Sequence, residues 1–183
     1  MQARVHWGFS LIEVMVVVVI IAILAMIALP SYEAYTRRAH IAQVQQEMQK
    51  IAEQLERYKG RNFSYNGFSF SGLYGQLITT YDDALGEVYV PLGSTKNTAR
   101  YIIRLVDADT DKPLAETKRA DEGTVDQNLG HAWKMNAVRV NSTRANLKGF
   151  VLTSTGERCQ STNANMISLF NCVSSSGQRG DAW

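Results

Sequence analysis

Residues 9–29 read FSLIEVMVVVVIIAILAMIAL, with a single charge at Glu13 and sixteen consecutive apolar residues from Val14 to Leu29. As a helix, these 21 residues would span about 31 Å, close to the hydrocarbon thickness of a bilayer. Arg4 precedes the stretch, so the positive-inside rule places that end in the cytoplasm and the remaining chain outside it. The stretch predicts a membrane-spanning helix, and a plain signal anchor is one interpretation of it.

The polar and apolar parts of the N-terminus stand in an unusual order. An ordinary secretory signal has its cleavage site after the apolar segment, at small residues. Here the polar stretch MQARVHWG ends in Gly8, the apolar run follows at once, and no small-residue site lies beyond it. Cleavage after the apolar segment is therefore not indicated.

Glu13 lies inside the apolar stretch and argues against a plain anchor. An isolated carboxylate in hydrocarbon costs about 2 to 4 kcal/mol, so it needs a partner. If the chain is cut after Gly8, the new amino group of Phe9 lies four residues from Glu13, about one helical turn away. A neighbouring copy could offer the same group, which predicts a docking contact.

The segment Gly8-Phe9-Ser10-Leu11-Ile12-Glu13-Val14 closely resembles the leader junction of type IV prepilins and pseudopilins. The resemblance implies that a membrane-embedded prepilin peptidase cuts after Gly8 and methylates the amino group of Phe9. It also implies an assembly role for Glu13 and a helix kink at Pro30, because proline removes a helical hydrogen bond. The implied partners are other pilin subunits, the peptidase, the inner-membrane assembly machinery and, before assembly, the membrane.

Beyond Pro30 the apolar residues recur at intervals of three and four. This spacing predicts an amphipathic helix that packs on a sheet, with a short coiled coil as the alternative. Gly60 is the predicted stop. The stripe consists of Ile41, Val44, Met48, Ile51, Leu55 and Tyr58.

The segment that follows the helix is rich in Gly, Ser, Tyr and Phe and predicts an irregular connection. Its aromatic residues either pin the connection to the core or form a variable contact surface between subunits. They are Phe63, Tyr65, Phe68, Phe70 and Tyr74.

Four strands are predicted by their β-branched and aromatic residues and by the polar turns between them. They are Tyr101–Val106, Trp133–Val140, Gly149–Thr153 and Met166–Cys172. One helix followed by consecutive strands predicts an α+β class with an antiparallel sheet. The resemblance implies the pilin fold, a long N-terminal α-helix packed against a four-stranded antiparallel β-sheet. GFVLTSTGER is also similar to a block found in minor pilins.

Two cysteines, Cys159 and Cys172, lie near the C-terminus, and an exported chain could pair them. A disulfide between them would close a loop around the 12 residues that separate them. In the chain-entropy model this stabilises the folded chain by about 2 to 3 kcal/mol. They resemble the cysteines that bound the C-terminal disulfide region of pilins.

Asp107, Asp109 and Asp111 alternate as carboxylates do in a calcium-binding loop. Lys112 and Pro113 follow where such a loop needs glycine, and the glutamate that would complete the loop is missing. The sequence favours a solvated turn between strands over a metal site, and it predicts no cofactor.

Neither an enzyme nor a dedicated nucleic-acid-binding domain is indicated. The three histidines are scattered and the chain lacks the common nucleophile, phosphate-loop and dinucleotide motifs. A formal net charge of +2 is too small to indicate a DNA-binding surface. Five basic residues could still contact DNA phosphates, with solubility as their alternative role: Arg37, Arg38, Arg139, Arg144 and Lys148.

The resemblance implies a structural subunit of a type IV pilus, with a minor pilin as the leading hypothesis. Such a subunit would sit in the inner membrane before assembly and in the surface fibre afterwards, supporting assembly, twitching motility, adhesion or DNA uptake. The major pilin and a type II secretion pseudopilin are alternatives. The predicted parts are a cleaved leader (1–8), a membrane and fibre-core helix half (9–30), an amphipathic half (31–59), a connecting loop (60–99), and the sheet with its disulfide region (100–183).

Overall fold

The computed structural model describes residues 9–75, 77, 79–115, 130–140, 148–163, 167, 168, 170–173, 177 and 179–183. The predicted leader with Gly8, the basic residue Arg144 and the predicted strand start Met166 lie outside the described residues. The chain divides into two compact units, Met1–His40 and Ile41–Trp183.

The first unit contains the N-terminal part of one long helix, α1, which runs from Leu11 to Asn62. The large apolar side chains from Leu11 to Leu29 are all exposed, by 49–79%. By length and composition the helix can cross a membrane, with a mean hydropathy of 3.2 in its most apolar window. The predicted apolar helix is thus confirmed as a helix whose side chains find no cover within the described chain.

Two predictions concerned the course of this helix. It continues through Pro30, and a bend at that residue stays a prediction. It ends at Asn62, slightly beyond the predicted stop at Gly60.

In the second unit, the predicted apolar stripe of α1 faces the core. Val44, Met48, Ile51 and Leu55 are fully buried, and Ile41 and Tyr58 are partly buried against the same cluster. The cluster includes Ile103, Met135 and Phe150 from the strands. The stripe is therefore covered by the chain's own sheet, as predicted, and is not left open for a coiled coil.

Over the described residues the sheet has six strands, not the four predicted. They are β1 (Tyr81–Asp82), β2 (Glu87–Val90), β3 (Tyr101–Asp107), β4 (Trp133–Arg139), β5 (Gly149–Thr153) and β6 (Arg158–Ser161). They lie in sequence order, and every neighbouring pair is antiparallel. The first three predicted strands are confirmed as β3, β4 and β5.

The fourth predicted strand is wrong. Ile167 and Ser168 are helical, and Phe170 has a left-handed backbone with φ of 53°. The amide of Asn136 donates to the Ile167 carbonyl at 2.8 Å, so this segment bonds to a side chain of the sheet instead of extending the ladder. The last strand is instead β6, a polar segment that sequence propensity did not indicate.

The region predicted as an irregular connection contains a short helix, α2 (Ser71–Tyr74), and the two first strands. Four of the five aromatic residues singled out in the sequence are buried in the core, which confirms that they pin the segment down: Tyr65, Phe68, Phe70 and Tyr74. Phe63 is the exception, since it is 88% exposed.

The face of the sheet opposite the α1 stripe carries the disulfide. Cys159 on β6 is bonded to Cys172, as predicted. Both pack with Val151 and Ile167 in a second apolar cluster. Since Val151 alternates with the core residue Phe150 along β5, the sheet is buried on both of its faces there.

The outer edge of β6 is covered by the C-terminal segment. Gln160 exchanges two backbone hydrogen bonds with Asp181, at 2.7 and 3.0 Å. The Trp183 ring packs edge-on against Phe150, with ring centroids 5.7 Å apart. At the opposite edge of the sheet, β1 is two residues long.

Candidate functional site

The start of α1 is fixed by Ser10. Its hydroxyl oxygen accepts a hydrogen bond from the backbone N–H of Glu13 at 3.2 Å, and its carbonyl accepts from Glu13 and Val14 at 3.1 and 3.3 Å. Ser10 is thus the N-cap of the helix, and Phe9 lies outside it. The sequence reasoning did not use this, although Ser-x-x-Glu before an apolar run is the pattern of a capping box.

Phe9 and Glu13 stand on either side of this cap. Phe9 is 83% exposed, and Glu13 is an exposed residue in the first helical turn. A carboxylate there is favoured by the exposed N–H groups at the helix N-terminus, by about 0.3 to 1 kcal/mol. Within the described residues no hydrogen bond or ion pair engages the Glu13 carboxylate.

Just beyond this site, the apolar surface of α1 gives Glu13 its setting. In the most apolar stretch of α1, the one long enough to cross a membrane, no residue is buried. Such a surface is stable only against lipid tails or against other apolar helices. The site is therefore an acidic group at the start of an uncovered apolar rod.

The three aspartates that alternate like calcium ligands have different environments. Asp107 is fully buried, and its carboxylate accepts hydrogen bonds from the backbone N–H groups of Asp109, Thr110 and Gly130, at 3.1, 3.0 and 2.7 Å. Asp111 instead forms an ion pair with Lys134 at 2.8 Å. In the part of the chain that the structure describes, no three acidic, His or Cys side chains form a group that could hold a metal. The segment is a turn, but its first aspartate is buried and not solvated.

Asp107→Ala should destabilise the protein by about 3 kcal/mol or more, because it leaves the buried N–H of Gly130 and the part-buried N–H groups of Asp109 and Thr110 without an acceptor. Urea unfolding of the full chain in detergent measures this. Asp109→Ala is the matched control, since its exposed side chain makes none of these bonds. Equal losses in the two variants, or a rise in melting temperature on adding calcium, would contradict the structural role assigned to Asp107.

Two glutamate–lysine pairs on α1 each hold a tyrosine from the segment that follows the helix. The Tyr74 hydroxyl donates to Glu47 at 3.1 Å, and the Lys50 ammonium lies 5.3 Å from the centre of the same ring. The Tyr65 hydroxyl likewise donates to Glu56 at 2.7 Å, and the Lys59 ammonium lies 4.6 Å from the centre of that ring. The sequence reasoning missed these contacts, although Glu and Lys three residues apart share a helix face.

Burial and these carboxylates change the ionisation of the tyrosines. Burial, followed by the bond to Glu56, raises the pKa of Tyr65 to about 12. Burial raises the pKa of Tyr101 to about 12, against a smaller opposing effect of Arg139. The pKa of Tyr74 is also raised, by burial and then by Glu47. These tyrosines therefore stay neutral in the folded chain well above pH 10.

The free energy of unfolding should fall as the pH rises from about 10 to about 12. In that range the tyrosines of the unfolded chain lose protons that the tyrosines of the folded chain keep. Below about pH 10 the tyrosines are neutral in both states, so their full contribution to the free energy of unfolding is present. Tyr101 alone accounts for about 2 to 3 kcal/mol at most. Denaturant unfolding across this range, with tyrosinate absorbance as the second signal, measures it. Tyr101→Phe should make the decline shallower, and an unchanged slope would contradict the assignment.

The basic residues considered for DNA contacts differ in their surroundings. Arg37 and Arg38 are exposed on α1, whereas Lys148 forms an ion pair with Asp181 at 3.0 Å. Arg139 has an interaction partner of its own.

Comparison with known families places one match on the chain. Residues 8–29 match the family model described as the prokaryotic N-terminal methylation motif. No curated protein and no solved structure matches the chain. The matched segment contains the predicted cut, the Ser10 cap, Glu13 and the apolar run. A leader of this kind implies processing by a prepilin peptidase and assembly with other pilin subunits. The family match shows that the chain carries the type IV prepilin leader motif at residues 8–29.

Proposed function

We propose that the chain is a minor pilin, a structural subunit of a type IV pilus that polymerises through its N-terminal helix. The observation that carries this proposal is the leader motif at residues 8–29, in which the apolar side chains from Leu11 to Leu29 are exposed and Glu13, the one acid of the segment, stands in the first helical turn. The cell-surface fibre, twitching motility, adhesion and DNA uptake belong to the same proposal.

Processing is the first step. The peptidase cuts after Gly8, which leaves Phe9 as the first residue, and methylates its new amino group. The Ser10 cap supports a cut at this position, since it holds the helix start at Leu11 and keeps Phe9 out of the helical hydrogen-bond ladder. A peptidase needs an extended stretch of backbone at its cut, and residues inside a helix do not offer one.

Assembly is the second step. The helix leaves the bilayer and exchanges lipid contacts for contacts with other subunits' helices. The Glu13 carboxylate binds the amino group of a neighbouring copy's first residue. This pairing offsets the cost of burying either charge alone. The force for extension and retraction comes from other proteins.

The mass of the mature N-terminus tests the proposal. Mass spectrometry of the chain from sheared fibres should find Phe9 as the first residue, carrying one methyl group. A chain that keeps its first eight residues would overturn the proposal.

The same N-terminal features suit a major pilin or a type II secretion pseudopilin. Abundance separates the first, because a major pilin dominates sheared fibres by mass. A deletion that stops export of hydrolases while surface fibres persist would identify a pseudopilin.

A further inference from the structure

Immediately beyond the apolar run, α1 exposes two aromatic residues and two cations. Tyr32 is 68% exposed and Tyr35 is 72% exposed. Arg37 and Arg38 follow them and are also exposed. Tyrosines at the end of a membrane span mark the layer of lipid headgroups, because the ring prefers the apolar side and the hydroxyl the wet side.

Their positions along the helix match the thickness of that layer. Tyr32 and Tyr35 lie about 4.5 and 9 Å beyond Leu29 along the axis, and Arg37 lies about 12 Å beyond it. Headgroups extend about 5 to 8 Å beyond the hydrocarbon on each side. The tyrosines thus reach through the headgroup layer, and the long arginine side chains can bend back to the phosphates.

The charges of this segment decide how strongly it attracts an anionic surface. Glu33 stands four residues before Arg37, one helical turn away, so it offsets part of that cation's charge. Because Glu33 offsets only one of the two arginines, the segment keeps a net positive charge from Arg38. Each cation held near an anionic leaflet contributes about 1 kcal/mol, or about fivefold in an equilibrium.

We propose that Tyr32, Tyr35, Arg37 and Arg38 form an interfacial anchor that binds the phospholipid headgroups of the outer leaflet of the inner membrane, with a preference for anionic lipid. The proposal rests on the proposed function, since it concerns the subunit before assembly. The anchor fixes how deep the helix lies in the bilayer, and extraction into a fibre must break it.

Two single-cysteine variants of the full chain report on this depth in vesicles. Ala34→Cys lies between the tyrosines and Ala39→Cys beyond the arginines. Cys159 and Cys172 are joined to each other, so only the introduced thiol reacts. An uncharged, membrane-impermeant maleimide is added to vesicles of phosphatidylcholine, with or without phosphatidylglycerol. The measured quantity is the labelling rate at position 34 divided by the rate at position 39.

Phosphatidylglycerol should lower this ratio by about fivefold. Arg37→Gln with Arg38→Gln should remove the lipid effect, and Glu33→Gln should increase it. Arg57→Gln with Arg61→Gln is the matched control, since it removes two exposed helical cations elsewhere and should change nothing. Tyr32→Ser with Tyr35→Ser should raise the ratio in both lipids, and tryptophan at both positions should restore it.

If neither the arginine nor the tyrosine substitutions change the labelling ratio, in a chain that resists alkaline extraction, the proposed anchor is overturned. The membrane span is unaffected by that result. A chain extracted by alkali would overturn the span itself, and with it the proposed function. Protection by short duplex DNA, without any effect of phosphatidylglycerol, would assign the arginines to nucleic acid and likewise overturn the anchor.

Discussion

Replacing Glu13 with alanine should reduce incorporation of the subunit into fibres by about tenfold or more while leaving leader cleavage intact. The carboxylate is exposed in the first turn of α1, and no partner engages it within the described residues. A charge-assisted bond to a neighbour's amino group contributes about 1.5 to 3 kcal/mol, and each 1.4 kcal/mol is about a factor of ten in an equilibrium. Immunoblots of sheared fibres and of membranes measure the change.

Two further variants make the Glu13 result specific. Glu13→Gln keeps the size of the side chain and removes its charge, so it should fail nearly as badly as alanine. Glu33→Ala removes another exposed acid of the same helix, beyond the apolar run, and should assemble normally. Normal entry of Glu13→Ala into fibres would favour a membrane-anchored protein that does not polymerise.

Gly8→Trp should block leader cleavage almost completely. The resemblance to prepilins places the cut directly after Gly8, and a residue without a side chain lets a peptidase enclose the backbone closely. The uncut chain has no free amino group at Phe9 for a neighbour's Glu13, so it should also stay out of fibres. Mass spectrometry of the membrane fraction should find the first eight residues retained.

Val5→Trp is the control for bulk in the leader, since it adds the same ring three residues earlier. Its product should begin at Phe9 like that of the parent chain. If Gly8→Trp is cut at the normal rate, the assignment of the junction is wrong, whatever the effect of Glu13.

The long helix and its stripe could be predicted because they depend on local pattern. Apolar residues three and four apart, such as Val44, Met48 and Ile51, specify one helix face, and all three are fully buried. The strands β3, β4 and β5 were likewise predictable from β-branched and aromatic content. The cysteine pair followed from export and from the prepilin resemblance.

What the sequence did not reveal depends on partners distant along the chain. β1 and β2 are too short to be recognised alone and exist because they extend the ladder from β3. MISLFNC has strand-like composition, yet its described residue Ile167 accepts a bond from the Asn136 side chain and its Cys172 is held by the disulfide. The burial of Asp107 depends on Gly130, which lies 23 residues away.

A subunit that polymerises, as proposed for this chain, must join its neighbours only through the surfaces that build the fibre. Subunits awaiting assembly are concentrated in a single membrane, where any unpaired strand would invite sheet-to-sheet fusion. In the described part of the chain, one flank of the sheet ends in a two-residue strand and the other is occupied by the backbone of Asp181. If the chain polymerises as proposed, these two edges direct its growth away from sheet-to-sheet stacking and towards contacts between helices.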